Sequence, residues 1–449
     1  MGKLFGTDGI RGVVNAGLDA TLAYQVGLAA AVVMAKDKHK SRPLVAIGKD
    51  TRVSSDLLEC ALIAGLCSAG ADVLRLGVVP TPAVAWLTVE SACDAGIVIS
   101  ASHNPFEHNG IKVFNSQGYK LPDALENEIE EIILSGREIP LKTGGDLGRV
   151  RPGEALTERY IDHLAASVED DFAGLRVVVD CANGAASATA PRLFARFPKL
   201  HADIIHASTD GVNINNGCGS THLGSLKEAV LAGGYDLGLA YDGDADRFLA
   251  VDERGEEIDG DQVMAACARV LQAEGALNGN TMVGTVMSNL GLHLFAKENG
   301  MELLCTPVGD RNVLEKMLEG DFVIGGEQSG HTIFRKYATT GDGQLTSLQF
   351  LQVLHRAGCP ASELVSGCKR YPQVLINLPV ESKEKKEAIM AAPALWEAVS
   401  AQEAALAGKG RVLVRPSGTE ALLRVMVEAS SQEEAMASAE SLADVIKNL

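Results

Sequence analysis

Three separate regions of this chain open in the same way. Leu44-Val45-Ala46-Ile47 leads through Asp50 and Thr51 into a helical pattern over 55–69. Leu175-Arg176-Val177-Val178-Val179 leads through Asp180, Asn183 and Gly184 into a second helix, and Thr281 to Val286 leads through Ser288, Asn289 and Gly291 into a third. A short apolar strand, a polar turn and a helix form the opening of a βαβ unit. In each region a later apolar run feeds a polar loop, so one α/β architecture is expected three times over. From Val374 onward the order is strand, helix, strand, loop, strand, helix, which is α+β rather than doubly wound. The expected fold class is α/β: three similar α/β domains with mixed sheets and a smaller C-terminal α+β domain. Composition shifts at 136–153, 252–260 and 366–373 place the domains at 1–150, 151–255, 256–368 and 369–449.

Four loops carry the chemistry. Gly96-Ile97-Val98-Ile99 reads as a buried strand and delivers Ser100-Ala101-Ser102-His103-Asn104-Pro105 at its end. A hydroxyl, an imidazole and an amide then sit at a strand's C-terminal end, where open α/β sheets bind ligands. Pro105 stops onward pairing. Taken alone, the segment also fits a capped turn. After Leu237-Gly238-Leu239-Ala240 comes Asp242-Gly243-Asp244-Ala245-Asp246-Arg247. Three alternating carboxylates suit a hard cation. Glu253 stands at the twelfth position of an EF-hand, but the sixth position requires Gly and is Arg247. The flanks also read as strands. A Mg²⁺ ion sharing a substrate phosphate oxygen fits better, with a solvated acidic turn as the plain alternative.

The third loop, Gly325-Gly326-Glu327-Gln328-Ser329-Gly330-His331, mixes donors and acceptors of the kind a polyhydroxy ring needs. A Gly-rich turn with a satisfied histidine explains it equally. The fourth, Arg415-Pro416-Ser417-Gly418-Thr419-Glu420 with Arg424 beyond, offers guanidinium, amides and hydroxyls as a phosphate cradle. Glu420 suits an arginine-orienting role, and an N-capped turn is the simpler option.

Charge sharpens the problem. The 449 residues carry a formal net charge of −18, which excludes a broad nucleic-acid surface. A sugar phosphate would be repelled unless cations gather at its site, and the candidates are Arg11, Lys49, Arg52, Lys112, Arg247, Arg415 and Arg424. Nine cysteines without a C-x-x-C pair read as reduced thiols in the cytoplasm. The apolar stretch Leu22 to Ala35 contains Gln25 and falls short of the ~20 residues a membrane span requires, so a core-docked helix and no membrane partner are expected. No secretory leader pattern is present.

Taken together and in order, the four loops resemble the α-D-phosphohexomutase superfamily over nearly the whole chain. Phe5-Gly6-Thr7-Asp8-Gly9-Ile10-Arg11-Gly12 is similar to that family's opening. Gln328 in its loop, and Thr306-Pro307-Val308-Gly309-Asp310-Arg311, are similar to the phosphoglucosamine mutase branch, whereas the phosphomannomutase/phosphoglucomutase branch usually has methionine in place of Gln328. The resemblance implies four domains around one cleft and a phosphoserine at Ser102 that completes a Mg²⁺ shell with Asp242, Asp244 and Asp246. It also implies a sugar 1,6-bisphosphate as intermediate and activator, and interconversion of glucosamine 6-phosphate and glucosamine 1-phosphate. Glu327, Ser329 and His331 would then meet the sugar. Arg415, Ser417, Gly418, Thr419 and Arg424 would hold phosphate.

Bare serine is a weak nucleophile, so Ser102 needs a metal and a proton carrier. Lys112, in Asn109-Gly110-Ile111-Lys112, leads the carriers if nearby cations lower its pKa, with His103 and His331 behind it. Arg247 and Arg11 would offset phosphoryl charge. The other histidines carry no local context. A phosphomannomutase/phosphoglucomutase, a non-catalytic sugar-phosphate binder and a Mg²⁺ phosphatase remain alternatives. The oligomeric state stays open, a homodimer being one option.

Overall fold

The computed structural model describes residues 4–6, 8–417 and 422–449. They form two compact units: Met1–Met287 with Met301–Gly367, and Ser288–Gly300 with Cys368–Leu449.

The first unit holds three mixed sheets. The strands of the first are β1 (Ile10–Val13), β2 (Leu44–Lys49), β3 (Asp72–Val78), β4 (Ala95–Ile99), β5 (His108–Asn115) and β6 (Val150–Pro152), in the order β1-β5-β4-β2-β3-β6. The second comprises β7 (Arg176–Asp180), β8 (His201–Ile205), β9 (Leu237–Tyr241), β10 (Phe248–Asp252) and β11 (Glu257–Ile258), ordered β11-β10-β9-β7-β8. The third comprises β12 (Thr281–Thr285), β13 (Glu302–Thr306), β14 (Ile324–Gly326) and β15 (Thr332–Phe334), ordered β13-β12-β14-β15.

One core order recurs in all three: β3-β2-β4-β5, β8-β7-β9-β10 and β13-β12-β14-β15. The first three strands of each set run parallel and the fourth returns antiparallel. The threefold repetition read from the strand–turn–helix openings is therefore a repetition of topology. Strands β4 and β9 are buried at every residue, as parallel strands covered on both faces must be. Each of the first three chemical loops is the hairpin turn between the last parallel strand and its antiparallel return.

Edge strands escaped the sequence pattern. Residues 136–153 and 252–260 read as connections, yet the former contains β6, parallel to β3, and the latter contains β11, paired with β10. Strands of three and two residues are set by their neighbours rather than by their own periodicity.

In the second unit β16 (Gln373–Pro379), β17 (Arg411–Pro416) and β18 (Leu422–Glu428) form an antiparallel sheet, ordered β16-β18-β17. Two helices, Lys383–Ala391 and Pro393–Ala405, stand where one was expected, because Ala392 adopts extended backbone before Pro393. Helix Leu290–Glu298 belongs to this unit. Its first amide, Leu290 N, donates to the buried Glu428 carboxylate at 2.8 Å, and Asn289 caps Gly291 N at 3.0 Å.

The apolar Leu22–Ala35 stretch lies in helix Ala20–Asp37, capped by Asp19 and buried along one face. Among the described residues no helix is long and apolar enough to cross a membrane. This helix crosses helix Ser55–Ser68 at Gly27 and Gly65. A Cβ on Gly65 would lie 2.1 Å from the Tyr24 carbonyl oxygen, and one on Gly27 would lie 2.3 Å from that of Leu62. The obstacles are backbone, which cannot rotate away. Gly65→Ala is expected to cost about 1–3 kcal/mol by overpacking. Urea unfolding measures it, and an unchanged midpoint would contradict the close crossing.

Candidate active site

In the first unit the three hairpin loops converge. Ser102 Oγ donates to Asp242 Oδ2 at 2.6 Å across 140 residues of sequence. Ser102 has φ +52°, a left-handed backbone uncommon outside glycine. Its amide donates to Ser100 Oγ at 2.9 Å, and Ser100 Oγ donates to the buried Asp50 at 2.6 Å. Its carbonyl accepts from Arg52 Nη2 at 2.8 Å and from Asn215 Nδ2 at 2.9 Å. Gly243 permits the approach of the two loops, because a Cβ there would lie 2.5 Å from the Ser102 carbonyl oxygen.

Asp242, Asp244 and Asp246 are buried, with one carboxylate oxygen of each within 4.8 Å of the others. Like charges so placed demand compensation. Lys112 Nζ, on β5, lies 2.8 Å from Asp244 Oδ2 and 3.7 Å from Asp246 Oδ2. Thr81 Oγ1 donates to Asp244 Oδ2 at 2.7 Å, and the Arg247 amide donates to Asp242 Oδ1 at 3.2 Å. Asp244 Oδ1 and Asp246 Oδ1 are buried and accept no hydrogen bond from the described residues. Two orphaned carboxylate oxygens in a three-carboxylate cluster fit a hard divalent cation. Burial and the two neighbouring carboxylates push the Asp242 carboxyl well up. Burial acts on Asp246 too, but Lys112 and His331 outweigh it and hold that carboxyl down.

Lys112 departs from expectation. It is 5% exposed, so it is no surface lysine. Burial opposes its charge, yet Asp244 and Asp246 prevail and raise its pKa rather than lowering it. His103 behaves oppositely. Its Nδ1 lies 3.4 Å from Ser102 Oγ, and burial, then Arg247 and Arg11, lower its pKa, so the ring is neutral at neutral pH.

The cations proposed from sequence divide. Lys49 is consumed by Asp56 and Glu59, and Arg52 by Asp50 and three carbonyls. Arg11 stands 3.5 Å from Asp8 and Arg247 stands 3.9 Å from Asp246. The buried Nε of each lacks a hydrogen-bond partner among the described residues, leaving a donor for an anion.

In the third loop, Glu327 is half-buried and accepts the Gly309 amide through Oε1 at 3.1 Å, and Ser329 is exposed. His331, expected at the sugar, is instead 4% exposed and engaged by protein. Its Nδ1 and Nε2 lie 3.7 Å from Asp246 and Asp310 respectively. Burial opposes its charge, but Asp246, Asp310 and Glu327 raise its pKa to about 9, and the Gly341 amide nitrogen lies 3.0 Å from Nε2. Gln328 Nε2 donates to Asp259 Oδ2 at 3.0 Å, anchoring the loop to the N-cap of helix Gly260–Ala273.

In the second unit, Arg415 and Arg424 pair across β17 and β18, and burial, then Arg424, lower the Arg415 pKa. The Ser417 amide donates to the Leu422 carbonyl at 2.9 Å, and its own carbonyl accepts from Lys386 Nζ at 2.8 Å. Gly418, Thr419 and Glu420 lie outside the described residues.

Thr81 and Asn215 went unread in the sequence. Pro80-Thr81-Pro82 is a helix-start signal and Asn213 to Gly217 a turn cluster, but neither reveals its distant partner. Lys120, bridging Asp8 and Asp310, was missed likewise. A further trio, Asp180, His206 and Cys218, also groups potential ligands. Asp180 there already accepts from Ala182 N and Gly219 N and sits 3.0 Å from His206 Nδ1, so this carboxylate is engaged by protein.

Known proteins match the chain along its whole length. The phosphoglucomutase/phosphomannomutase α/β/α domains I, II and III match residues 2–139, 158–255 and 259–371, and the C-terminal domain of that family matches 375–445. The phosphoglucosamine mutase of Desulforudis audaxviator is 52% identical over 435 residues, covering 96% of this chain and 95% of its own. That of Caldicellulosiruptor saccharolyticus is 52% identical over 453 residues, covering 100% and 99%. A solved phosphoglucomutase/phosphomannomutase family protein from Burkholderia thailandensis superimposes with a TM-score of 0.81 at 25% identity, covering 100% of this chain and 98% of its own. The Aspergillus fumigatus N-acetylphosphoglucosamine mutase, solved with GlcNAc-6P and magnesium, shares the fold at a TM-score of 0.72 and 18% identity, covering 100% and 96%. With all four domains matched in order and full-length relatives at half identity, the chain belongs to the phosphoglucomutase/phosphomannomutase family of α-D-phosphohexomutases, among the phosphoglucosamine mutases.

Proposed function

We propose that this chain interconverts glucosamine 6-phosphate and glucosamine 1-phosphate through a phosphoserine at Ser102 and a bisphosphorylated sugar. The carrying observation is the 2.6 Å contact of Ser102 Oγ with Asp242, inside a carboxylate cluster that retains orphaned oxygens. In the first half-reaction the Ser102 Oγ–P bond breaks and a P–O bond forms to the sugar's free hydroxyl, whose proton is released as Oγ takes one up. In the second, the sugar's other phosphoryl group passes to Ser102 Oγ, and the proton movements reverse. We assign that proton exchange to His103, a reading supported by its Nδ1 lying 3.4 Å from Oγ and by burial, Arg247 and Arg11 lowering its pKa. Lys112 stays charged and, with Arg247 and Arg11, offsets the charge of about −1.5 to −2 on the phosphoserine. Asp242, Asp244, Asp246 and a phosphoserine oxygen would hold Mg²⁺, which when bound neutralises charge on the group in transfer.

Glu327 has one oxygen with no donor among the described residues, which suits a ring hydroxyl or the C2 ammonium. Ser329 would share the sugar. His331 supports the loop from behind. Arg415, Ser417, Gly418, Thr419 and Arg424 are assigned to substrate phosphate. Residues 1–150, 151–255, 256–368 and 369–449 then carry the phosphoserine, metal, sugar and phosphate loops respectively. Nine free thiols accord with a cytoplasmic enzyme.

A charge-assisted hydrogen bond to the ammonium is worth ~1.5–3 kcal/mol, so kcat/KM for glucosamine 1-phosphate should exceed that for glucose or mannose 1-phosphate by about tenfold or more. Steady-state kinetics with Mg²⁺ and bisphosphate decides this. Equal or reversed preference would move the chain to the phosphomannomutase/phosphoglucomutase reading with its mechanism intact. Separately, Asp244→Asn should weaken Mg²⁺ about tenfold or more, since it removes one anionic ligand at constant volume. Sugar phosphate affinity should change far less. Titration calorimetry showing unchanged Mg²⁺ affinity would contradict the metal assignment.

A further inference from the structure

We infer that Arg52 is a positioning residue for the nucleophile, holding the Ser102 turn so that Oγ faces the carboxylate cluster, and that Asn215 shares this task from the second α/β repeat. The inference rests on the reading of Ser102 as the phosphoryl relay. Arg52 is 2% exposed, so it offers no charge to a ligand. Its guanidinium is spent on protein oxygens. Nε pairs with Asp50 Oδ2 at 2.9 Å, Nη2 donates to the Ser102 and Asn104 carbonyls, each at 2.8 Å, and Nη1 donates to the Pro105 carbonyl. Three carbonyls of one turn are thus gathered on one planar fork.

The fork is itself fixed. Asp50 accepts from Arg52 N at 3.0 Å, Ser55 Oγ at 3.0 Å and Ser100 Oγ at 2.6 Å, and Ser100 Oγ accepts the Ser102 amide. Both faces of the Ser102 peptide geometry are therefore set by one buried ion pair. This matters because the left-handed backbone at Ser102 is not one that serine adopts unaided. Released, the turn would relax and carry Oγ away from Asp242.

Asn215 completes the clamp. Its amide donates to the Ser102 carbonyl at 2.9 Å and the Asn104 carbonyl at 3.2 Å, and its own backbone N donates to Ala182 O at 2.9 Å, just beyond β7. The serine turn is thereby registered against the repeat that carries the aspartates. A lysine cannot replace Arg52, because a single point charge does not reproduce a fork that holds separate carbonyls.

The test uses the full chain, phosphorylated at Ser102, with glucosamine 6-phosphate at saturation. Single-turnover transfer should slow about a hundredfold in Arg52→Lys, the loss expected for a displacement near 1 Å, and about tenfold in Asn215→Ala, with KM within about threefold. Guanidinium ion at low concentration should partly restore Arg52→Ala, and potassium chloride at equal ionic strength should not. A purely structural role would lower the melting temperature and the active fraction while leaving the rate per phosphorylated site unchanged. Transfer within about threefold of wild type in Asn215→Ala, together with either wild-type transfer in Arg52→Lys or no guanidinium rescue, would overturn the inference. Ser102→Ala separates the two levels. Retained turnover there removes the relay reading itself, whereas an inert Ser102→Ala beside normal clamp variants removes only the positioning claim.

Discussion

Three carboxylates buried within reach of one another cannot persist without compensation, and much of the first unit is arranged around that demand. Asp242, Asp244 and Asp246 meet Lys112 from β5, Thr81 from the start of helix Thr81–Glu90, His331 from the third repeat and Ser102 from the first. Each comes from an element far away in sequence. Removing one partner from a buried charge pair typically costs ~3–5 kcal/mol, so these contacts tie the three repeats together as well as shaping the site. The same demand answers the puzzle of a chain with net charge −18 that takes an anionic substrate. Its buried cations lie beside the aspartates, and Arg11 and Arg247 keep donors in reserve.

Topology explains why these groups meet. In each repeat the last parallel strand turns back into an antiparallel partner, and the turn carries the chemical residues. Ligands of open α/β sheets gather at the carboxyl ends of the strands. Placing three equivalent turns at such ends delivers a hydroxyl, a carboxylate cluster and the half-buried Glu327 carboxylate by one structural rule. In the second unit the neighbouring antiparallel strands β17 and β18 set Arg415 opposite Arg424.

Much of this was legible from residues alone. The parallel strands announced themselves as apolar runs before polar turns, because burial on both faces leaves no room for alternation. The serine and aspartate loops stood out because each sets a run of polar or charged residues directly after a buried strand, at the end where open α/β sheets bind ligands. What escaped depended on partners remote in sequence. Lys112 looked like a lysine whose pKa would fall, and the approach of Asp244, from 132 residues away, and of Asp246 reverses that. The protein partners of His331, namely Asp246, Asp310 and Gly341, were likewise not visible in the sequence. Gln328 is similar to one branch of the family, and its side chain meets Asp259, a partner 69 residues away that the sequence does not reveal. The short edge strands β6 and β11 were illegible because nothing within two or three residues encodes a pairing.

The central claim is that Ser102 passes its phosphoryl group to the sugar and recovers another. Its most direct test follows an isotopic label. Protein carrying ³²P-phosphate on Ser102 is mixed with unlabelled glucosamine 6-phosphate and Mg²⁺ and quenched over one turnover. The account predicts that label leaves Ser102 and enters the sugar, first as bisphosphate and then at the 1-position of glucosamine 1-phosphate, while unlabelled phosphate replaces it on the protein. Label that stays on the protein during turnover, or that leaves as inorganic phosphate, would contradict it.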